Sequence, residues 1–341
     1  MARLAYLDRL RVAAAAAVVM IHVSAMAWPQ TPVASADWQA MNVYAALSRW
    51  CVPIFFMVSG TLFLAPGRED SPRSVWRKHI PRLLVMYVAW SAAYTVLSAV
   101  FQRNADPVFW LQHLWDGYYH LWYLLALAGV YALIPLLQRA VASTNLARYF
   151  LVLTGIASIL VPTLVLVPVA GGLAADLVQR VGPFLAAGYP FYFVLGHVLH
   201  EQGDALSRTA RGALYAAGIA GALVTAAGTA WISLARGAAS GDFYGYLTLG
   251  VGLASAAVFV WFRTRGGADV TSPRLATMAR WTLPIYLIHP AFVRLVQEFN
   301  LTPGLMPSVI GVPVVWLLVL GLSVLTSAVL VRIPVVNSWL V

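Results

Sequence analysis

Arg11 and His22 bring polar chemistry into an apolar segment that is rich in alanine and valine. Eleven helical residues at about 100° each come within about 20° of three whole turns, so both side chains share one face. At about 1.5 Å per residue they lie roughly 16 Å apart along the helix axis. A histidine in an apolar interior favours its neutral form, which can take a proton from a hydroxyl or act as a nucleophile. The alternative is that Arg11 anchors the helix end by snorkelling and that His22 is a hydrogen-bonded packing residue.

A basic cluster precedes the third apolar run, in a segment that we predict to be a loop. It consists of Arg73, Arg77, Lys78 and Arg82, with His79 among them. Cations at this density can hold a phosphorylated ligand through charge-assisted hydrogen bonds. The chain has no GxxxxGK[ST] motif, so any phosphates must be bound by cations and helix ends. Anchoring of a membrane protein by its cytoplasmic positive charges explains the same cluster.

Five further side chains are candidates for contacts with a substrate. His120, Trp122 and Tyr123 begin the fourth apolar run, and Tyr286 and His289 lie in the ninth, beside two prolines. The alternatives are an aromatic belt at the membrane surface for the first three and a hydrogen-bonded interior histidine for His289. No histidine pair has HExxH spacing and the chain has a single cysteine, so we predict no metal site and no intrachain disulfide.

The composition indicates a membrane protein. Hydrophobic residues make up 61% of the 341 residues and charged residues only 10%, whereas soluble chains have about 25% charged residues. The formal net charge of +10 raises nucleic acid as a partner. The basic residues stand in short blocks between apolar runs, which indicates topology, so we predict a lipid bilayer and no nucleic acid as partner.

Ten apolar runs are long enough to cross a bilayer as helices. They fall at about 10–28, 42–65, 83–102, 119–138, 148–170, 183–199, 212–234, 243–262, 281–297 and 309–331. With ten crossings, 17 of the 22 Lys and Arg residues lie on one side and 5 on the other, which predicts both termini in the cytoplasm. We therefore expect an all-α polytopic membrane protein with one transmembrane domain over residues 1–341. The first run also has features of a signal peptide, but its charged face favours a helix that is retained.

Four segments of the chain resemble the membrane-bound acyltransferase 3 family, whose members are bacterial inner-membrane enzymes that O-acylate surface and secreted carbohydrates. The first is Arg11 followed by ten residues and His22, in the first run. The others extend from Arg49 to Gly60, from His120 to Pro135 and from Tyr286 to Pro290. Their order and spacing match across nearly the whole chain. Arg9 and Val12 replace glycines that many members have, so the chain looks closer to a short form without a periplasmic hydrolase-like domain.

The resemblance implies acyl-CoA, expected to be acetyl-CoA, as a cytoplasmic co-substrate, with no permanently bound cofactor. The acceptor would be a carbohydrate hydroxyl at or beyond the outer face of the bacterial inner membrane. His22 carries over as the catalytic histidine and Arg11 as its partner in the motif. The basic cluster, chiefly Arg77, Lys78 and Arg82, carries over as the site for the CoA phosphates.

The sequence leaves mechanism and class open. His22 could deprotonate the acceptor hydroxyl or form an acyl-imidazole, and no acid lies within a span to orient its ring. A secondary transporter or flippase could use the same intramembrane His and Arg groups, and a scaffold for polysaccharide-assembly proteins is a third reading. An acyltransferase should be thermally stabilised by CoA, whereas a transporter should not. The oligomeric state is not predicted.

Overall fold

A computed structural model describes residues 4–103, 106–166, 188–265 and 271–334 of the chain. Helices make up 82% of the structure, and the described residues contain no strand, which confirms the all-α prediction. The helices in the first half are α1 Ala5–Ser24, α2 Ala36–Ser48, α3 Cys51–Phe63, α4 Pro72–Gln102, α5 Pro107–Asp116, α6 Trp122–Ala132 and α7 Ile134–Val141. Those in the second half are α8 Thr144–Val165, α9 Gly188–Gln202, α10 Arg208–Arg236, α11 Leu249–Arg265, α12 Pro273–Glu298 and α13 Ser308–Leu330.

Six segments of the described residues are long and apolar enough to cross a membrane, and the bent pair α6 and α7 makes a seventh. This agrees with a polytopic membrane protein, while the count of ten and the side of each terminus stay predictions. Parts of the fifth and sixth predicted runs, 167–170 and 183–187, lie outside the described residues.

α1 is the central helix, since it packs against α2, α3, α11, α12 and α13. It begins at Ala5, before the predicted start near residue 10. The helix therefore includes the charged Asp8, which is buried. Asp8 Oδ1 is 4.0 Å from Arg11 Nη1, and Thr271 Oγ1 donates to Asp8 Oδ2 at 3.1 Å. A paired carboxylate can be buried where an isolated one cannot. The face that carries Arg11 and His22 is therefore held by neighbours on several sides.

The loop predicted for the basic cluster is wrong: all four cations lie on α4. Ser71 caps this helix by accepting from the N–H of Ser74 at 3.2 Å, and Pro72 stands in its first turn. A wide turn spans Val75–His79, where the N–H of Ile80 bonds to the carbonyl of Val75. Pro81 has no N–H for the carbonyl four residues earlier, which accounts for the wider turn. The cluster is thus presented by a helix and not by a flexible loop.

Two predicted spans contain breaks that follow from proline. α2 and α3 form one apolar segment that is interrupted at Arg49, whose carbonyl cannot receive a helical bond from Pro53. The axis turns by 58° between α6 and α7, where Pro135 cannot bond to Tyr131. Both breaks lie beside cavities that are described below.

Candidate active site

A cavity of about 530 Å³ lies between α1, α3, α4, α6 and α12. Eight of the eleven predicted site residues line it: Arg11, His22, Lys78, Arg82, His120, Trp122, Tyr123 and Tyr286. The period of α1 explains why Arg11 and His22 enter the same space, as their spacing predicted. The structure therefore brings the two halves of the predicted site into one cavity.

Three histidines meet at one end of the cavity. The ring centroid of His289 is 5.0 Å from that of His22 and 5.7 Å from that of His120. The ring of Tyr119 packs 5.0 Å from His22 on another side. His289 does not line the cavity itself but stands behind His22 as a fully buried neighbour. Three His, Cys, Asp or Glu side chains placed to hold a metal ion do not occur among the described residues.

The protonation of His289 follows from its hydrogen bond. Its Nδ1 lies 3.0 Å from the carbonyl oxygen of Ile285. Because a carbonyl only accepts, Nδ1 carries the hydrogen in the neutral ring and Nε2 keeps a lone pair. This Nε2 and both ring nitrogens of His120 are buried without a hydrogen-bond partner in the part of the chain that the structure describes. Buried polar atoms without partners are costly, which favours a role beyond packing.

Tyrosine hydroxyls fix the position of this histidine group. Tyr286 Oη donates to the carbonyl of His120 at 2.6 Å, and Tyr94 Oη donates to the carbonyl of Leu287 at 2.7 Å. His120 is buried in the turn before α6, with the Tyr94 ring 5.2 Å away. These bonds tie α12 to α4 and to that turn, so the three imidazoles keep their mutual placement.

The other end of the cavity is basic. Arg11, Lys78 and Arg82 line it together with His79. Lys78 and Arg82 are one helical turn apart, so they point to the same side of α4. No Asp or Glu lines the cavity within the described residues, and the acid nearest in sequence to Arg11 is Asp8. This end can therefore bind a polyanion.

Arg73 and Arg77 lie outside the cavity lining and are exposed. Beside them Asp70 holds the loop before α4 through two basic side chains. Arg68 Nε donates to Asp70 Oδ2 at 2.7 Å, and His79 Nε2 is 3.6 Å from Oδ1. Burial raises the pKa of Asp70, but the hydrogen bond and charge of Arg68 together with His79 outweigh it and hold the pKa below its usual value. This ionised carboxylate keeps the start of α4 in place.

Several lining residues were not predicted. Tyr246 comes from the turn before α11, and Tyr131 and Ser59 come from helix faces that look apolar in sequence. Tyr246 follows no helical period, so its contact with the cavity has no signal in the sequence. Ser59 lies one helical turn after Phe55 on the same face of α3. The helical period therefore gives a weak signal that Ser59 lines the cavity.

Comparison with known proteins gives a match to a family of proteins. The chain fits the sequence model of the acyltransferase 3 family, described as an acyltransferase domain, over residues 4–332. No curated protein and no solved structure matched the chain. The match includes the helix of Arg11 and His22, the basic start of α4, His120 and His289. It covers nearly the whole chain, so this protein belongs to the acyltransferase 3 family and is a multi-pass membrane acyltransferase.

Proposed function

We propose that the protein transfers an acyl group, expected to be acetyl, from acyl-CoA to a hydroxyl of a surface or secreted carbohydrate or of its lipid-linked precursor. The observation that carries this proposal is the single cavity that joins a basic end to a group of histidines. A basic end suits the phosphates of CoA. The histidine end suits proton transfer at the thioester.

The length of α1 supports this arrangement. Arg11 and His22 line the same cavity from one continuous helix, which sets them roughly 16 Å apart along the axis. This distance is comparable to the extended phosphopantetheine arm of CoA. With its phosphates at Arg11, Lys78 and Arg82, acyl-CoA places its thioester near His22.

The chemistry follows from the neutral imidazoles. His22 takes the proton of the acceptor hydroxyl while that oxygen attacks the thioester carbonyl. The C–S bond then breaks, the ester keeps the acyl group, and His22 returns the proton to the thiolate of CoA. The ring centroid of His289 is 5.0 Å from that of His22, and its Nε2 lone pair stabilises His22 while His22 is protonated. Such a contact accelerates the reaction because it stabilises a charge that develops only in the transition state.

We also propose the bacterial inner membrane as the location, with the basic end of the cavity facing the cytoplasm. The 17-to-5 distribution of Lys and Arg supports this orientation. In it, Arg11 and α4 meet cytoplasmic acyl-CoA, and the histidines lie deeper in the membrane.

The test is to replace His22 by Gln and by Ala and to measure O-acetyl groups on surface glycans of expressing cells by mass spectrometry. We expect both variants to lose activity by about 10²–10⁴-fold, because Gln keeps hydrogen bonding but cannot act as a base. His113→Gln is the matched control, since His113 lies on α5 outside the cavity lining.

The purified variants should keep a rise in melting temperature with CoA, since His22 contacts the acyl end only. Turnover of His22→Gln near that of the wild-type protein would refute the catalytic role. No stabilisation of the wild-type protein by CoA would instead favour a transporter.

A further inference from the structure

A second cavity of about 320 Å³ lies next to the histidine end of the first. Its lining includes Ser24 at the end of α1, Trp28, Arg49 at the break after α2, and Tyr244. Tyr246 lines both cavities, so the two are neighbours. Ser24 follows His22 by two residues on α1. The second cavity therefore continues the path that leads from the basic end to the histidines.

This second cavity, here termed the outer cavity, is lined by two residues that carry unsatisfied N–H groups in the part of the chain that the structure describes. Arg49 Nε and Trp28 Nε1 are both buried and have no hydrogen-bond partner within the described residues. Ser24 Oγ donates to the carbonyl of Met20 at 2.8 Å, so its hydrogen is used. Buried N–H groups normally have partners. Two such groups on residues that line one cavity point to an oxygen-bearing ligand that completes them.

Among the described residues, the charge of Arg49 is met by tyrosines and not by a carboxylate. Its guanidinium carbon lies 4.1 Å from the ring centroid of Tyr244. Across the described ranges, no carboxylate lies within 4.0 Å of its nitrogens. Asp242, in the same loop as Tyr244, is bound to Arg236 at 2.8 Å, and Asp37 accepts from a backbone N–H at 2.6 Å. A cation inside a membrane protein without a counter-ion is costly, and an anionic ligand removes that cost.

We propose that this outer cavity is the acceptor subsite and that it takes an acceptor that carries an anionic group, a carboxylate or a phosphate. The inference rests on the proposed function and adds the chemical class of the acceptor. Arg49 and Trp28 bind the anion, and the ring of Tyr244 holds the Arg49 guanidinium in place. The acceptor hydroxyl then reaches past Tyr246 to His22. An acidic sugar and a lipid-linked sugar phosphate both present this chemistry.

Binding is measured on the full-length protein in detergent by its melting temperature. The ligands are methyl β-D-glucuronide for a carboxylate, glucose 1-phosphate for a phosphate, and methyl β-D-glucoside as the neutral control. We expect at least one anionic ligand to stabilise the wild-type protein and the neutral glucoside to have much less effect. The anion that works identifies the source of the charge.

Arg49→Gln should weaken the binding of the anionic ligand by about 10- to 150-fold, as expected when charge-assisted hydrogen bonds are lost. Trp28→Phe should weaken its binding less, since an aromatic ring is kept and one N–H is lost. Arg294→Gln is the matched control, because Arg294 is on the same predicted side and is paired with Glu298. CoA should still stabilise Arg49→Gln as it does the wild-type protein, which shows that the variant is folded.

Equal stabilisation by the neutral and anionic ligands, or no stabilisation by any of them, overturns the acceptor subsite. An equal loss of affinity for the anionic ligand in Arg49→Gln and Arg294→Gln also overturns it. The proposed function fails differently, through full acyl transfer by His22→Gln or a lack of CoA stabilisation. Either failure can be recognised without the other, because ligand binding at Arg49 is measured without turnover.

Discussion

Only two of the four cations of the basic cluster line the cavity, and this difference gives a quantitative prediction for donor binding. Lys78 and Arg82 line the cavity, whereas Arg73 and Arg77 do not. Lys78→Gln and Arg82→Gln should therefore raise the KM for acetyl-CoA, and Arg77→Gln should not. Arg77 is a matched control because it has the same charge, lies on the same helix and is also exposed.

The expected rise in KM depends on how exposed each basic side chain is. A charge-assisted hydrogen bond is worth about 1.5–3 kcal/mol when desolvated, and an exposed ion pair about 0.2–1 kcal/mol. Lys78 and Arg82 are exposed at the mouth of the cavity, so we expect about 1–1.5 kcal/mol each. This corresponds to a roughly 5- to 12-fold higher KM per substitution.

The assay follows the initial rate of CoA thiol release at varied acetyl-CoA concentration for each purified variant. The kcat should change little, because phosphate contacts are the same in the ground state and the transition state. An equal rise in KM for Arg77→Gln would show that the effect is general surface charge. Unchanged KM values for both Lys78→Gln and Arg82→Gln would contradict a donor site at this end of the cavity.

Two further predictions concern the fold. Gly196→Ala should lower the melting temperature, at an overpacking cost of about 1–3 kcal/mol, because its Cβ would lie 2.2 Å from the carbonyl oxygen of Met57. Gly129→Ala, where nothing lies within 4 Å, should not, and equal effects would contradict the close approach of α3 and α9. Reporter fusions after Ala34 and Ala238 should report the outer side and one after Gly67 the cytoplasm; any other pattern contradicts the ten-span topology.

The sequence could predict the fold class and the core of the site because both depend on local regularities. Apolar runs of about 20 residues specify membrane helices without reference to tertiary contacts. The helical period alone puts Arg11 and His22 on one face, and α1 is continuous between them. The cavity that both residues line agrees with that expectation.

Tertiary placement could not be predicted in the same way. The difference between Lys78 and Arg77 depends on how α4 is rotated about its own axis, which tertiary packing sets. Tyr246 reaches the cavity from a turn without any period. Arg49 is one basic residue among many in sequence. It stands out only when its lack of a carboxylate partner is seen in three dimensions.

In the proposed reaction, the histidine group takes the place of an acid that would otherwise orient His22. Asp8, the acid nearest to His22 on α1, is 14 residues away, or about 21 Å along the helix. A carboxylate beside His22 would have to stay ionised inside the membrane, which is expensive. A neutral His289 avoids that cost, and its bond to the carbonyl of Ile285 leaves Nε2 as an acceptor on a ring whose centroid is 5.0 Å from that of His22. In the proposed reaction His22 holds the proton only until the thiolate leaves. A neutral neighbour is therefore sufficient, and no permanent charge is needed at the histidine end.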